Sequence, residues 1–148
     1  MLYSTLLFLH LAGAIVWIGG MFFAYFCLRP AAGLLEPPQR LALWAATFSR
    51  FLLYAALAVV ALLGSGFSML ALIGIGRPPL GWIAMMVLGL AMAGVFVYVY
   101  AGLYPQLLKH TRAAAWPAAA AALNSIRRLV AVNLVLSVAV VASVVSAR

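Results

Sequence analysis

LYSTLLFLHLAGAIVWIGGMFFAYFCL, residues 2–28, carries no acidic or basic side chain other than His10. At 1.5 Å of rise per residue, such a run is long enough to cross the ~30 Å hydrocarbon core of a bilayer with some tilt. Inside lipid every backbone N–H and C=O must be satisfied within the protein, and a single segment can do that only as a helix. The run lacks the polar–apolar alternation of a barrel strand. It also lacks a basic n-region and exceeds a signal-peptide core, so it reads as a retained span. Three further apolar runs follow, at about 51–75, 80–104 and 129–146. Arg29-Pro30 closes the first run, Gly76-Arg77-Pro78-Pro79 the second and Pro105 the third.

The bulk numbers agree. Of 148 residues 69% are hydrophobic and 7% charged, with a mean hydropathy of +1.23; soluble domains carry about 25% charged residues. Four spans leave no room for a second, soluble domain. The expectation is therefore one all-α transmembrane domain over residues 1–148, a polytopic four-helix bundle. Nine Lys and Arg against a single acid, Glu36, give a formal charge of +8. In a soluble chain that balance would suggest nucleic acid. Here the basic residues fall between the spans, where they meet anionic lipid headgroups, so the expected partner is the bilayer and no nucleic acid is implied. Cys27, the lone cysteine, excludes an intrachain disulfide.

Charge asymmetry orients the spans. Arg29, Arg40 and Arg50 lie between spans 1 and 2, and Lys109, Arg112, Arg127 and Arg128 between spans 3 and 4. The remaining connection has only Arg77, and the C-terminus Arg148. The positive-inside rule puts the two basic connections in the cytoplasm and both termini outside. Tyr98, Tyr100, Tyr104 and Trp44 suit an inner aromatic belt and Trp82 an outer one. Pro37-Pro38 is suited to a first helical turn, and Leu41, Trp44, Phe48 and Phe51 follow at helical spacing. Pro117 opens an alanine-rich stretch leading through Arg127-Arg128 into span 4. Helices 2 and 4 are thus expected to extend beyond the core on the cytoplasmic side.

The chain has no Walker loop, dinucleotide fingerprint or carboxylate pair, and one acid excludes carboxylate acid–base chemistry. A non-enzymatic role is the expectation. Ionisable groups within spans are costly and mark function. His10 lies about 12 Å below the outer surface, on a stripe with Gly13, Trp17, Gly20, Ala24 and Cys27. Its glycines admit a close neighbour, so the stripe should face the bundle interior. Met69 near the outer end of span 2, and Met85 and Met86 near the outer start of span 3, fall in the same layer. Histidine with thioethers suits the soft cuprous ion. The plainer alternatives are a histidine that glues helices together and methionines that fill gaps. Cys27 and the pair Asn133 and Ser137 read as small packed or helix-bridging residues. His110 belongs to the headgroup region and is too far from His10, roughly 27 Å along the normal, to share an ion or a haem iron.

Three segments carry a resemblance. LHLAGAIVWIGGMFFAYFCLRPA (9–31), RLALWAATFSRF (40–51) and WPAAAAALNSIRRLVAVNL (116–134) resemble the copper-resistance D (CopD) membrane family. The His…Trp-x-Gly-Gly and Trp-Pro…Ile-Arg-Arg elements are its most specific features. The resemblance implies copper handling at the bacterial inner membrane (transport, tolerance or delivery) with a periplasmic copper-binding partner. Larger members have more spans, so a four-span form is expected to oligomerise if it encloses a path. Span 1 is also similar to the start of the HemJ-type protoporphyrinogen oxidases, small four-helix proteins that use haem b, an important histidine and a lysine. That resemblance implies His10 as a haem axial ligand. Span 3 has no lysine, Lys109 lying beyond it. A third reading is an accessory membrane protein without a ligand.

The topology is directly testable. With Cys27 replaced by serine, a cysteine placed at Ala114 should resist an impermeant thiol reagent applied to intact cells and react once the inner face is opened. Labelling of intact cells would invert the assignment.

Overall fold

The structure, a computed structural model, describes residues 1–73 and 79–146. The expected turn at Gly76-Arg77-Pro78 and the terminal Arg148 lie outside the described residues. Four long helices make up the described chain: α1 (Leu2–Ala32), α2 (Pro37–Ile73), α3 (Leu80–Arg112) and α4 (Trp116–Ser146). All four are long and apolar enough to cross a membrane. The all-α four-helix bundle expected from the sequence is what forms.

The helices run further at the basic end than the apolar runs. Pro30 and Pro105 do not end α1 and α3. A proline removes the N–H that would bond four residues back, and both helices widen just before it. Ala24–Leu28 and Val99–Leu103 are π-helical turns, in which the Arg29 N–H reaches the Ala24 carbonyl and the Tyr104 N–H that of Val99. Such a bulge re-routes the ladder locally and lets the helix continue. The "connections" seen in sequence thus shrink to residues 33–36 and 113–115. Arg40, Arg50, Arg127 and Arg128 sit on the helical extensions of α2 and α4 beginning at Pro37 and Trp116.

The π turn also corrects the reading of Cys27. From His10 to Ala24 the stripe faces inward, with Gly13, Trp17 and Ala24 buried. The extra residue in the turn then rotates the helix. Leu28 packs against the core, while Cys27 is exposed. Trp44 departs from expectation as well. At 1% exposure it is a core residue and not part of an interfacial belt.

The two halves of the chain repeat one another. In α1 and α3 the buried positions correspond at one constant spacing: Trp17 with Met92, Met21 with Phe96, Ala24 with Val99, Ala32 with Leu107. The π turns and the prolines keep that spacing. In α2 and α4, Leu41 pairs with Ala119, Trp44 with Ala122, Ala45 with Leu123, Phe48 with Ile126, and Val59 with Ser137. The fold is two like helical hairpins. α1 packs along α2, and α3 along α4.

The core is not evenly distributed. Trp44, Leu41, Leu107, Leu123 and Ile126, all at the basic end, are the largest fully buried side chains. Trp17 meets Phe96 edge-on at 6.0 Å between centroids, closing the gap between α1 and α3 midway. Beyond that contact, toward the N-terminal end of α1, the hairpins leave a cavity.

Close approach holds α1 on α2. A Cβ on Gly13 would stand 3.0 Å from the Ala58 carbonyl oxygen and 3.0 Å from Leu62 Cγ, whereas one on Gly19 would meet nothing within 4 Å. Gly13→Ala should therefore destabilise the fold by about 1–3 kcal/mol through overpacking. Gly19→Ala should be neutral or raise stability by up to about 1 kcal/mol, since alanine is the better helix former. Thermal unfolding of both variants in one detergent checks the contrast. Equal effects would deny the contact.

Candidate functional site

His10 projects from α1 against α2, where its Nδ1 lies 3.1 Å from the Leu62 carbonyl oxygen and 3.1 Å from Ser65 Oγ. Ser65 Oγ itself donates to the Ala61 carbonyl, 2.5 Å away. A carbonyl can only accept, and the serine proton is engaged elsewhere. Nδ1 must therefore carry the hydrogen, shared between Leu62 O and Ser65 Oγ. In the neutral ring that leaves Nε2 with its lone pair free, the state a metal ligand needs. Glycine makes room for this arrangement, because a Cβ on Gly66 would stand 3.2 Å from His10 Cε1. Two parts of the sequence signal, the glycine-lined stripe and the serine one helical turn from Met69, thus converge on one ring orientation.

His10 lines a cavity of about 510 Å³. All four side chains named from the sequence (His10, Met69, Met85 and Met86) line it. Trp82 and Ser137 line it as well. Trp17 and Met92, both buried, lie toward the Trp17–Phe96 contact and form its floor. By the spacing that relates α1 to α3, His10 corresponds to Met85, so these two occupy equivalent places on the two hairpins. The counterpart of Leu62 is Val140, another lining residue; the second hairpin offers no equivalent histidine. Met92 and Trp82 are not among the site residues that the sequence pattern points to. Met92 stands at helical spacing from Met85 and Gly89, and Trp82 suits an outer aromatic belt by sequence alone.

Chemically the site is soft and apolar. Among the described residues no three of His, Cys, Asp and Glu come together to hold a metal, so any ion here would rely on one imidazole and thioethers. Ser137 donates to the Leu134 carbonyl of its own helix at 2.7 Å. Below the cavity, Asn133 donates Nδ2 to the Met92 carbonyl at 3.3 Å and ties α4 to α3, the bridging role expected for it. His110 is half-buried in the last turn of α3, at the opposite end of the bundle.

The family model for copper resistance protein D (CopD) matches residues 45–147. The chain belongs to the CopD family. It is a multi-pass membrane protein of that copper-resistance family. No curated protein and no solved structure matches it. The matched CopD residues include Ser65, Met69, Met85 and Met86, and three of the four cavity walls; His10 precedes them on α1.

The hydrogen-bond assignment makes a prediction for this CopD chain. Ser65→Ala removes one of two acceptors, and Leu62 O still holds the Nδ1 proton. Stability should fall by about 0.6 kcal/mol, the usual value for an interhelical hydrogen bond in a membrane protein. Nitrogen NMR of labelled histidine should report Nδ1–H for His10 in both forms at neutral pH. An Nε2–H ring in the parent protein would contradict the geometry.

Proposed function

We propose that this CopD-family protein handles cuprous copper, receiving the ion in the outer half of its bundle at His10 Nε2 and the thioethers of Met69, Met85 and Met86. One observation carries the reading: His10, whose Nε2 has no hydrogen-bond partner among the described residues, lines a cavity that these methionines also line. Imidazole and thioether donors favour a soft monovalent ion, whereas hard divalent ions prefer carboxylate oxygens, which this layer lacks. By the charge asymmetry, the cavity faces the non-cytoplasmic side of the bacterial inner membrane. A periplasmic copper-binding protein is the natural donor or acceptor.

The inner half speaks against simple conduction through one protomer. Its centre is filled by Trp44, Leu107, Leu123 and Ile126. Arg29, Arg40 and Arg127 add positive charge there. A cation leaving the cavity inward would meet a packed floor and a repulsive potential. In this reading the protomer is a receiving and holding site. Passage across the membrane requires the hairpins to separate, or a homo-oligomer to form a path between copies.

A second reading has its own support. A volume of about 510 Å³ is more than one ion needs and falls within the usual 300–1,000 Å³ range of small-molecule pockets. It would suit haem b held by His10 as axial ligand. When bound, haem would supply one-electron chemistry; the residues of the chain would bind and orient it and keep water out.

The readings separate on one variant. His10→Ala should abolish cuprous binding while folded protein is retained, and Met69→Leu and Met85→Leu should each weaken it, as followed by competition with a cuprous chelator. Under the haem reading the purified protein shows a Soret band that His10→Ala removes. Undiminished copper and haem binding in a folded His10→Ala protein would refute both.

A further inference from the structure

The basic end of the bundle holds a second feature that copper handling does not use. Arg29 at the end of α1, Arg40 in the second turn of α2 and Arg127 on α4 come from three different helices. Arg29 and Arg40 are close enough to Arg127 for their charges to act on it directly. Arg29 and Arg127 border the same small crevice, whose apolar base is Ala24, Phe48 and Val130. With one acidic side chain in the whole sequence, Glu36, a carboxylate side chain can neutralise at most one of the nine basic charges. Like charges gathered without a carboxylate raise the energy of the fold unless an anion joins them.

The guanidinium groups are held in place. That of Arg127 lies 5.2 Å from the ring centroid of the buried Trp44, and that of Arg29 lies 5.0 Å above Tyr25. Stacking on an aromatic face fixes the plane of a guanidinium and leaves its N–H edge for a ligand. Arg127 Nε is buried and has no hydrogen-bond partner. A buried donor left unsatisfied raises the energy of the fold until a ligand accepts from it. The repeat sharpens the point. The equivalents of Arg29, Arg40 and Trp44 in the second hairpin are Tyr104, Ala118 and Ala122, so the cluster is specific to one side of an otherwise repeated fold. Orientation by the positive-inside rule requires only that basic residues lie on one side of the membrane. It does not require two of them to border one crevice, each over an aromatic ring, with the charge of a third acting on them.

We propose that Arg29, Arg40 and Arg127 form a binding site for a phosphate group at the inner membrane–water boundary. Arginine forks match phosphate oxygens bidentately. The apolar base of the crevice suits the first carbons of an acyl chain and favours a phosphate carried by an anionic phospholipid over one free in solution. The site would seat a lipid at the junction of α1, α2 and α4, where the two hairpins meet.

The test uses the full chain in a neutral detergent, titrated separately with dioctanoyl phosphatidylglycerol, dioctanoyl phosphatidylcholine and inorganic phosphate. Thermal unfolding and tryptophan fluorescence are followed. Phosphatidylglycerol should raise the unfolding midpoint saturably, and phosphatidylcholine should not. Arg127→Gln should weaken the effect about tenfold or more, the equivalent of losing one charge-assisted hydrogen bond. Arg40→Gln, which removes a charge acting on Arg127, provides the same test should Arg127→Gln fail to fold. Arg128→Gln, on the exposed face, should bind as the parent does. An equal response to inorganic phosphate would support the phosphate site and identify the free anion as its source. Phosphatidylcholine acting as well as phosphatidylglycerol would overturn the proposal. So would folded Arg127→Gln and Arg40→Gln proteins that respond like the parent.

Discussion

Gly13 of α1 lies so close to α2 that a single added carbon would touch both the Ala58 carbonyl oxygen and the Leu62 side chain at 3.0 Å. In a bilayer, lipid tails are as apolar as leucine, so helices gain little by hiding from solvent and associate through close packing and hydrogen bonds. The Gly13 contact supplies the first and sets up the second. It brings His10, one turn away, against Leu62 and Ser65, and Gly66 completes the slot in which the ring sits. Ring orientation, tautomer and the freedom of Nε2 all follow from how near the two backbones come.

The repeat of the hairpin explains why the site lies where it does. Two like hairpins pack tightly through their basic ends, where Trp44, Leu107 and Ile126 are buried, and lean on one edge-to-face contact, Trp17 on Phe96, at mid-height. The largest fully buried side chains among the described residues all lie at the basic end, and beyond that contact the cavity results. The repeat is approximate, and function sits in its departures. His10 has Met85 as its counterpart, and Arg29 and Arg40 of the first hairpin have Tyr104 and Ala118 as theirs in the second.

Much of this was legible in the residues. Uncharged runs of span length dictate helices because lipid offers no partner for a backbone group, and four such runs give the bundle. The stripe from His10 to Ala24 faced inward because glycines mark a close neighbour. Depth arithmetic grouped His10 with Met69, Met85 and Met86, and the four line one cavity. What escaped was local backbone geometry. Pro30 and Pro105 read as helix ends, yet a π turn before each lets the helix continue, and the extra residue turns Cys27 outward. Nothing in the pattern of apolar residues signals a π turn. Trp44 read as a belt residue because tryptophan favours interfaces. The fold buries it, with Arg127 lying over its ring.

We propose that one imidazole nitrogen and thioether sulfurs form a soft-metal site on the outer half of the bundle. X-ray absorption at the copper edge of protein loaded with one equivalent of cuprous ion tests it most directly. The account predicts a cuprous edge, with one nitrogen scatterer from imidazole and at least two sulfur scatterers in the first shell. A shell of nitrogen and oxygen alone would contradict it, as would protein that retains no cuprous ion.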